Sequence, residues 1–438
     1  MSAIWPVHEP FQPERRGFGF AELAGRAEWW ACFVILALMS QALLAPLFAP
    51  DQMPDNVPWL RTVWLPVYGA VAVMLAANPL RATRVAVPAM MSLALVGWAF
   101  ASSRWSIEPD ITFRRSVALL FTSLFGLHLA ARYSWRELAE LAAGMFLLLA
   151  VGSYIACIVF PGFGVTVEIH PGAWKGLWYE KNQLGGIMVY GVLACACAAI
   201  LAPGRRRLWI GAAAACLGLV AMSQSTTALL GSAIVLGGLA GLALLRRGGA
   251  WAVATVWALA AAVGGFLALI LVAPDLFFHL IGKDPTLTGR TEIWAALLHR
   301  VEVRPWRGYG YGAFWMDPWG PAWFVRQEVD WSAPNAHDGW LDILVQLGVV
   351  GLALAALHFL TTAVAAVARI GRGAEAYWAI LFMVLFALFS ISESTVMQYN
   401  NLTWAMYVAI GAKLLAWRGF TAEPAPRRRA VKLFPDEE

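Results

Sequence analysis

The chain has 438 residues, of which 60% are hydrophobic and only 13% charged, with a formal net charge of +5. Soluble globular chains carry about 25% charged residues, so this composition excludes a soluble enzyme and describes a chain that lives largely in lipid. The small positive excess needs no nucleic-acid partner, because a one-sided bias of Lys and Arg in membrane loops accounts for most of it.

Apolar runs of membrane length predict transmembrane helices. They must be helices, since lipid offers backbone groups no other partner and the alternation of barrel strands is absent. Segment 1–28 carries Arg15, Arg16 and Arg26 ahead of the first run and shows no small-residue cleavage site. Twelve spans follow, at roughly 29–49, 62–79, 85–102, 116–131, 139–160, 183–202, 208–222, 227–245, 250–272, 341–367, 375–391 and 400–417. The runs near 62, 116 and 208 are short, so their boundaries are the least defined. All five cysteines lie inside apolar runs and read as small core residues; Cys195 and Cys197, two apart on a helix, point different ways. Most of the 23 tryptophans read as interfacial anchors, Trp29, Trp30, Trp59 and Trp64 among them.

Twenty of the 32 Lys and Arg residues fall in the termini and one alternating set of loops. That set is therefore expected to face the cytoplasm, with both termini inside. The chain then divides into a cytoplasmic segment 1–28, helices one to nine over 29–272, an outward loop over 273–340, helices ten to twelve over 341–417, and a tail 418–438 expected to be disordered. The spans hold almost no charge, and His128 and His358 read as packed core histidines. A carrier places polar groups near the midplane. Here the reactive residues cluster on the outer side, which points to an enzyme at the outer leaflet.

Four outward stretches carry that chemistry. SSRWSIEPDITFRRS holds Arg104, Arg114 and Arg115, which could pair with an anionic lipid head or with Glu108 and Asp110. WKGLWYEKNQLGG puts Lys181 and Asn182 at the N-terminal end of the sixth span, where free N–H groups and the helix dipole favour an anion. TLTGRTEIWAALLHRVEVRPWRGYGYG predicts an amphipathic helix over 291–302, with Trp294, Leu297, Leu298 and Val301 as its apolar stripe. Arg290 opens it, and a cation there opposes the dipole unless an anion sits beside it. Arg307 joins the candidate anion ligands, and the glycines at 308, 310 and 312 read as tight turns beneath aromatic packing. Finally, APNAHDGWLDILVQLGVVG places His337 before span ten, with Asp338 and Asp342 as candidates to orient it as a general base. Zinc-ligand spacing is absent.

Taken together, TGRTEIW, RPWRGYGYGAFW and NAHDGWLDILVQLGVVGL resemble the O-antigen ligase and exopolysaccharide polymerase family of bacterial inner membranes, and most closely its succinoglycan-type polymerase branch. RWSIEPDITFRRS, GLWYEKNQLG and LFMVLFALFSISES fit the same pattern. The resemblance implies an all-α polytopic membrane protein of about twelve transmembrane helices, GT-C-like, with a large periplasmic loop between helices nine and ten. It implies a metal-independent, cofactor-free, inverting glycosyl transfer from a glycan on undecaprenyl pyrophosphate. By alignment with the family, His337 is the base and Arg290 holds the pyrophosphate. Partners would be the lipid-linked glycan, membrane lipid and other components of polysaccharide export. Ligases of this family tend to carry an arginine between spans seven and eight, where this chain reads MSQSTTALLG, so the pyrophosphate would rely on Lys181, Arg104 or Arg114. Many polymerase-like members have His where Glu180 stands, which leaves the role of that position open. Polymerase is the leading reading, ligase onto lipid A core the alternative, and a transporter or flippase of lipid-linked glycan the more distant one.

Overall fold

Every apolar run read from the sequence falls on a helix of the computed structural model. The structure describes residues 20–48, 57–167, 170–276 and 289–416, apart from positions 58, 78, 80–82, 84, 86, 274, 275, 318 and 330–332. The first nineteen residues, the expected tail 418–438 and residues 277–288 of the outward loop lie outside the described residues. The principal helices are α1 (Phe20–Met39), α2 (Leu60–Ala77), α3 (Met90–Ala101), α4 (Pro109–Arg132), α5 (Trp135–Val159), α6 (Lys181–Leu201), α7 (Arg206–Ser223), α8 (Thr226–Leu245), α9 (Gly249–Val272), α10 (Arg290–Val303), α11 (Pro321–Val329), α12 (Gly339–Val367), α13 (Glu375–Ser392) and α14 (Leu402–Leu415). Among the described residues the only strand-like pairing is a single bridge between Val165 and Trp174.

Helices α5, α6, α7, α8, α9, α12 and α13 are long and apolar enough to cross a membrane, which makes this a multi-pass membrane protein. Helices α1 and α4 start well before their apolar runs, for one reason: charge inside a helix reads as loop; α1 also stops at Met39, short of the run's end at 49. Helix α1 starts at Phe20 because Glu22 and Arg26 pair at i,i+4, 3.1 Å apart. Helix α4 starts at Pro109, a residue suited to the first helical turn, and so takes Arg114 and Arg115 into its body.

Helix α6 is the centre of the bundle, packed by α5, α7, α8 and α13. Helix α4 lies against α14, where Gly126 permits the approach; a Cβ there would stand 2.5 Å from the Ala405 carbonyl oxygen. Small residues at such crossings let membrane helices touch without a hydrophobic driving force. A second, smaller core belongs to the segment between α9 and α12: Ile293, Leu297, Tyr309, Phe314, Val325 and Val345 bury one another between α10, α11 and the start of α12. Helix α10 therefore turns Ile293, Ala296 and Leu297 inward, while Leu298, expected in the apolar stripe, is exposed.

The two sets of loops are knitted separately. On one side Arg132 pairs with Glu28 at 2.8 Å, Arg205 lies 3.5 Å from Glu140, and Lys413 donates to the Tyr133 carbonyl at 2.6 Å. On the other, the Ile107 N–H donates to the Tyr309 carbonyl, and the Gln41 amide donates to the Asn400 carbonyl. Helix α4, 24 residues long, runs from one set to the other.

Candidate functional site

The site is built around a break in α12. Gly348 sits at φ 70°, ψ −173° inside an otherwise helical run. A break in an apolar helix strands backbone groups that lipid cannot satisfy. The glycine-aromatic run after α10 satisfies them. The N–H groups of Tyr309 and Gly310 donate to the carbonyls of Val345 and Gln346 at 3.0 and 2.8 Å, and the Val349 N–H donates to the Pro305 carbonyl at 2.8 Å. The exchange needs backbone against backbone. A Cβ on Gly348 would lie 2.2 Å from the Trp306 carbonyl carbon, and one on Gly308, itself at φ 64°, 2.4 Å from that of Gln346. The tight turns expected here are thus a splice that locks the outward segment onto α12.

The splice and the small core fix both ends of the segment, Arg290 and His337. At its start, Arg290 crosses to the C-terminal end of α13, where Nη1 donates to the Ser392 carbonyl at 2.7 Å and Nη2 lies 3.6 Å from Glu393 Oε1. At its end, His337 holds a left-handed backbone (φ 48°), with its N–H on the Asn335 side-chain oxygen at 2.9 Å. Its ring Nδ1 faces the other oxygen of the same carboxylate, Glu393 Oε2, at 3.5 Å. A left-handed non-glycine residue is costly, and such strain gathers where surrounding structure must aim a side chain. Glu393 therefore stands between the two residues singled out by the sequence. Sequence reasoning missed it. The available signal is that Glu393 is the one charged residue between Glu375 and Lys413.

The two carboxylates nearest His337 in sequence are engaged elsewhere. Asp338 caps α12, accepting from the N–H groups of Trp340 and Leu341, both at 2.8 Å. Burial pushes its carboxyl above the usual range, against the pull of those two N–H groups and of Arg290. Asp342 is buried and accepts from the Trp315 indole at 2.9 Å, tying the loop to α12. Glu180 adds a fourth group. The residue as a whole is exposed, yet its carboxyl is pushed above the ordinary range by burial first and by the Glu393 carboxylate second, while His337 pulls it down. Its position at the N-cap of α6 thus borders the Glu393–His337 pair.

The remaining candidates fall into separate groups. Lys181 reaches over the α7–α8 connection, with Nζ donating to the Gln224 carbonyl at 3.3 Å; Asn182 is exposed beside it. Arg307 lies over the Trp105 ring at 5.5 Å, and that indole donates to the Arg307 carbonyl at 2.9 Å. Arg104, exposed, ends the short turn before Trp105. Arg115 donates to the Gly312 carbonyl and lies 5.2 Å from the Tyr399 ring centre. Arg114 and Arg115 both line a cavity of about 270 Å³ between α2 and α4. Among the described residues no three His, Cys, Asp or Glu side chains converge as a metal ion requires.

Sequence comparison adds two findings. Residues 211–356 match the family described as O-antigen ligase. Over 275 residues, 59% of this chain, the sequence is 29% identical to the exopolysaccharide production protein ExoQ of Rhizobium meliloti (strain 1021), and the match spans 60% of that relative's length. Both findings agree with the family that the motifs resemble. The matched stretch contains Arg290, the glycine splice and His337; Lys181, Arg114 and Glu393 lie outside it.

Proposed function

From a chain that carries the O-antigen ligase domain over residues 211–356, we propose a polymerase of lipid-linked oligosaccharide repeat units. The donor is a glycan on undecaprenyl pyrophosphate. An acceptor hydroxyl attacks its anomeric carbon; the new C–O bond forms on the face opposite the breaking bond to pyrophosphate, and the lipid pyrophosphate leaves with the electron pair. His337 takes the hydroxyl proton on the ring nitrogen turned away from Glu393, and Glu393 holds Nδ1 and steadies the imidazolium. Arg290 and Lys181 meet the charge that grows on the leaving pyrophosphate. Lys181 suits this because it reaches the loop where ligases of the family tend to carry arginine. The chain would lie in the bacterial inner membrane with about twelve crossings, both termini cytoplasmic and the Arg290–His337 segment periplasmic. The tail of the donor would run between spans.

The observation that carries this reading is the single carboxylate of Glu393, just after α13, facing both His337, just before α12, and Arg290, at the start of α10. Incubating the purified protein with lipid-linked repeat units tests it. Polymer of increasing length is expected; transfer only to a lipid A core acceptor would replace polymerase with ligase, and no transfer to either would overturn both.

A further inference from the structure

Resting on the polymerase reading, we propose that the cavity between α2 and α4 holds the lipid pyrophosphate of the acceptor, as a second anionic-lipid site distinct from the donor site at Arg290. The need follows from the chemistry. When two lipid-linked repeat units join, the donor's pyrophosphate sits at the bond being broken. The acceptor attacks through its far sugar, so its own pyrophosphate stands one repeat unit away from the reacting atoms. A polymerase must therefore accommodate a second lipid pyrophosphate on the same rim, offset from the base.

The cavity lies within one repeat unit's reach of the His337 cluster. Its wall includes Tyr399 and Asn400, and the segment from Glu393 to Tyr399 is the direct chain link to the His337 cluster. Six residues span no more than about 20 Å, which bounds the separation. Tyr399 also packs edge-on against Tyr311, whose hydroxyl donates to the Met397 carbonyl, so the link is pinned to the glycine splice.

The cavity also has matching chemistry. Arg114 and Arg115 are the cations of its lining. The Arg114 Nε donates to the Asp110 carbonyl at 3.2 Å, and the guanidinium makes no ion pair among the described residues. The floor is built. Asn400 holds a left-handed backbone (φ 52°), accepts the Tyr68 hydroxyl on its side chain at 2.9 Å, accepts the Gln41 amide on its carbonyl at 3.0 Å, and donates its N–H to Thr122 at 2.8 Å. The walls from α2 are apolar, Leu60, Val63 and Trp64. Leu65 and Phe113, at the edge, are 63% and 55% exposed, so the cavity opens sideways through apolar residues. A phosphate at the arginines and a polyprenyl chain leaving between α2 and α4 would satisfy both ends of such a lipid.

The test separates donor from acceptor. A donor-only substrate is the lipid-linked repeat with its attacking hydroxyl methylated. An acceptor-only substrate carries the same repeat joined to polyprenyl pyrophosphate through carbon, so that it cannot leave. The same oligosaccharide as a methyl glycoside is an acceptor without lipid. For Arg114→Gln, KM for the acceptor-only lipid is expected to rise about tenfold, with Arg114→Lys close to wild type, while KM for the donor-only lipid and for the methyl glycoside stays level. A matching rise for the donor would assign the cavity to the donor and overturn the inference. So would an unchanged acceptor KM, including the case in which the variant loses only co-purifying phospholipid. If the wild-type protein transfers from the donor-only lipid to no acceptor at all, the polymerase reading fails in its own right and this site falls with it.

Discussion

Glu393 at the end of α13 meets His337 at the start of α12, with its Oε2 3.5 Å from the ring Nδ1, while its Oε1 lies 3.6 Å from Arg290. One carboxylate thus faces the histidine ring and also pairs with a cation that would otherwise oppose the dipole of α10. The proposed base and the proposed leaving-group cation therefore share one carboxylate.

Replacing His337 removes the proposed proton acceptor. Chain extension by His337→Ala is expected to fall by about 10²–10⁴-fold, the usual worth of a positioned base. His337→Asn makes a cleaner comparison, because Asn tolerates the left-handed backbone that His337 adopts. Both variants should elute and melt like the wild type in detergent. Normal polymer from either would remove His337 from the mechanism.

Glu393→Gln keeps the shape and loses the charge. We expect kcat to drop roughly 10–100-fold, about 1.4–2.7 kcal/mol of transition-state stabilisation, with KM for donor little changed. Steady-state kinetics at neutral pH decides it. A pure KM effect would mean that Glu393 acts on binding through Arg290 alone.

Much of this fold was legible in composition. The apolar runs locate the helices because lipid leaves the backbone one solution, and Arg290 and His337 stood out by position, one opening a surface helix against its dipole and the other ahead of span ten beside two carboxylates. The misses share a physical cause. Asp338 and Asp342 are adjacent to His337 in sequence, but a carboxylate at a helix start is drawn to the free N–H groups, and a buried one to an indole. The partner that the histidine meets comes from another helix, and only packing brings it there. Likewise GYGYG reads as turns, while its pairing with the broken α12 depends on Gly348, a residue unremarkable within an apolar run.

Arg290→Lys tests the fork. Lysine can reach Ser392 or Glu393 but cannot present two donors in one plane to a carbonyl and a carboxylate. KM for the lipid-linked donor should rise about tenfold, and Arg290→Ala should also lower the apparent Tm, since a charged hydrogen bond between α10 and α13 is worth about 1.5–3 kcal/mol. Unchanged donor KM in both variants would count against the pyrophosphate role.

Glu180 gives a pH-dependent signature. Its carboxyl is raised above the ordinary range by burial and by Glu393, so the folded protein holds that proton more tightly than the unfolded chain. The stability this contributes is fully present below the usual Glu value of about 4.3 and is lost as pH rises through the raised folded value. Glu180→Gln removes the charge and the loss with it. The variant should melt above wild type at pH 7, by on the order of 1 °C given how exposed the residue is, and the gap should close near pH 4. A gap that widens on acidification would show that the Glu180 carboxylate is stabilised by its neighbours instead of strained by them.

Gly348→Ala strikes the splice. The left-handed backbone costs a residue with a Cβ about 1–3 kcal/mol by itself. The added methyl would also stand 2.2 Å from the Trp306 carbonyl carbon, backbone that can yield only by parting from α12. If it parts, Val349 loses the Pro305 carbonyl and the carbonyls of Val345 and Gln346 lose Tyr309 and Gly310. The expected outcome is a large fall in apparent Tm together with loss of polymer, because the outward segment that positions Arg290 and His337 is released at its midpoint. Ala at Gly237 in α8, where no left-handed backbone is required and nothing stands within 4 Å of the added methyl, should cost much less. Equal thermal shifts for the two variants would mean that the break at Gly348 does not hold the segment in place.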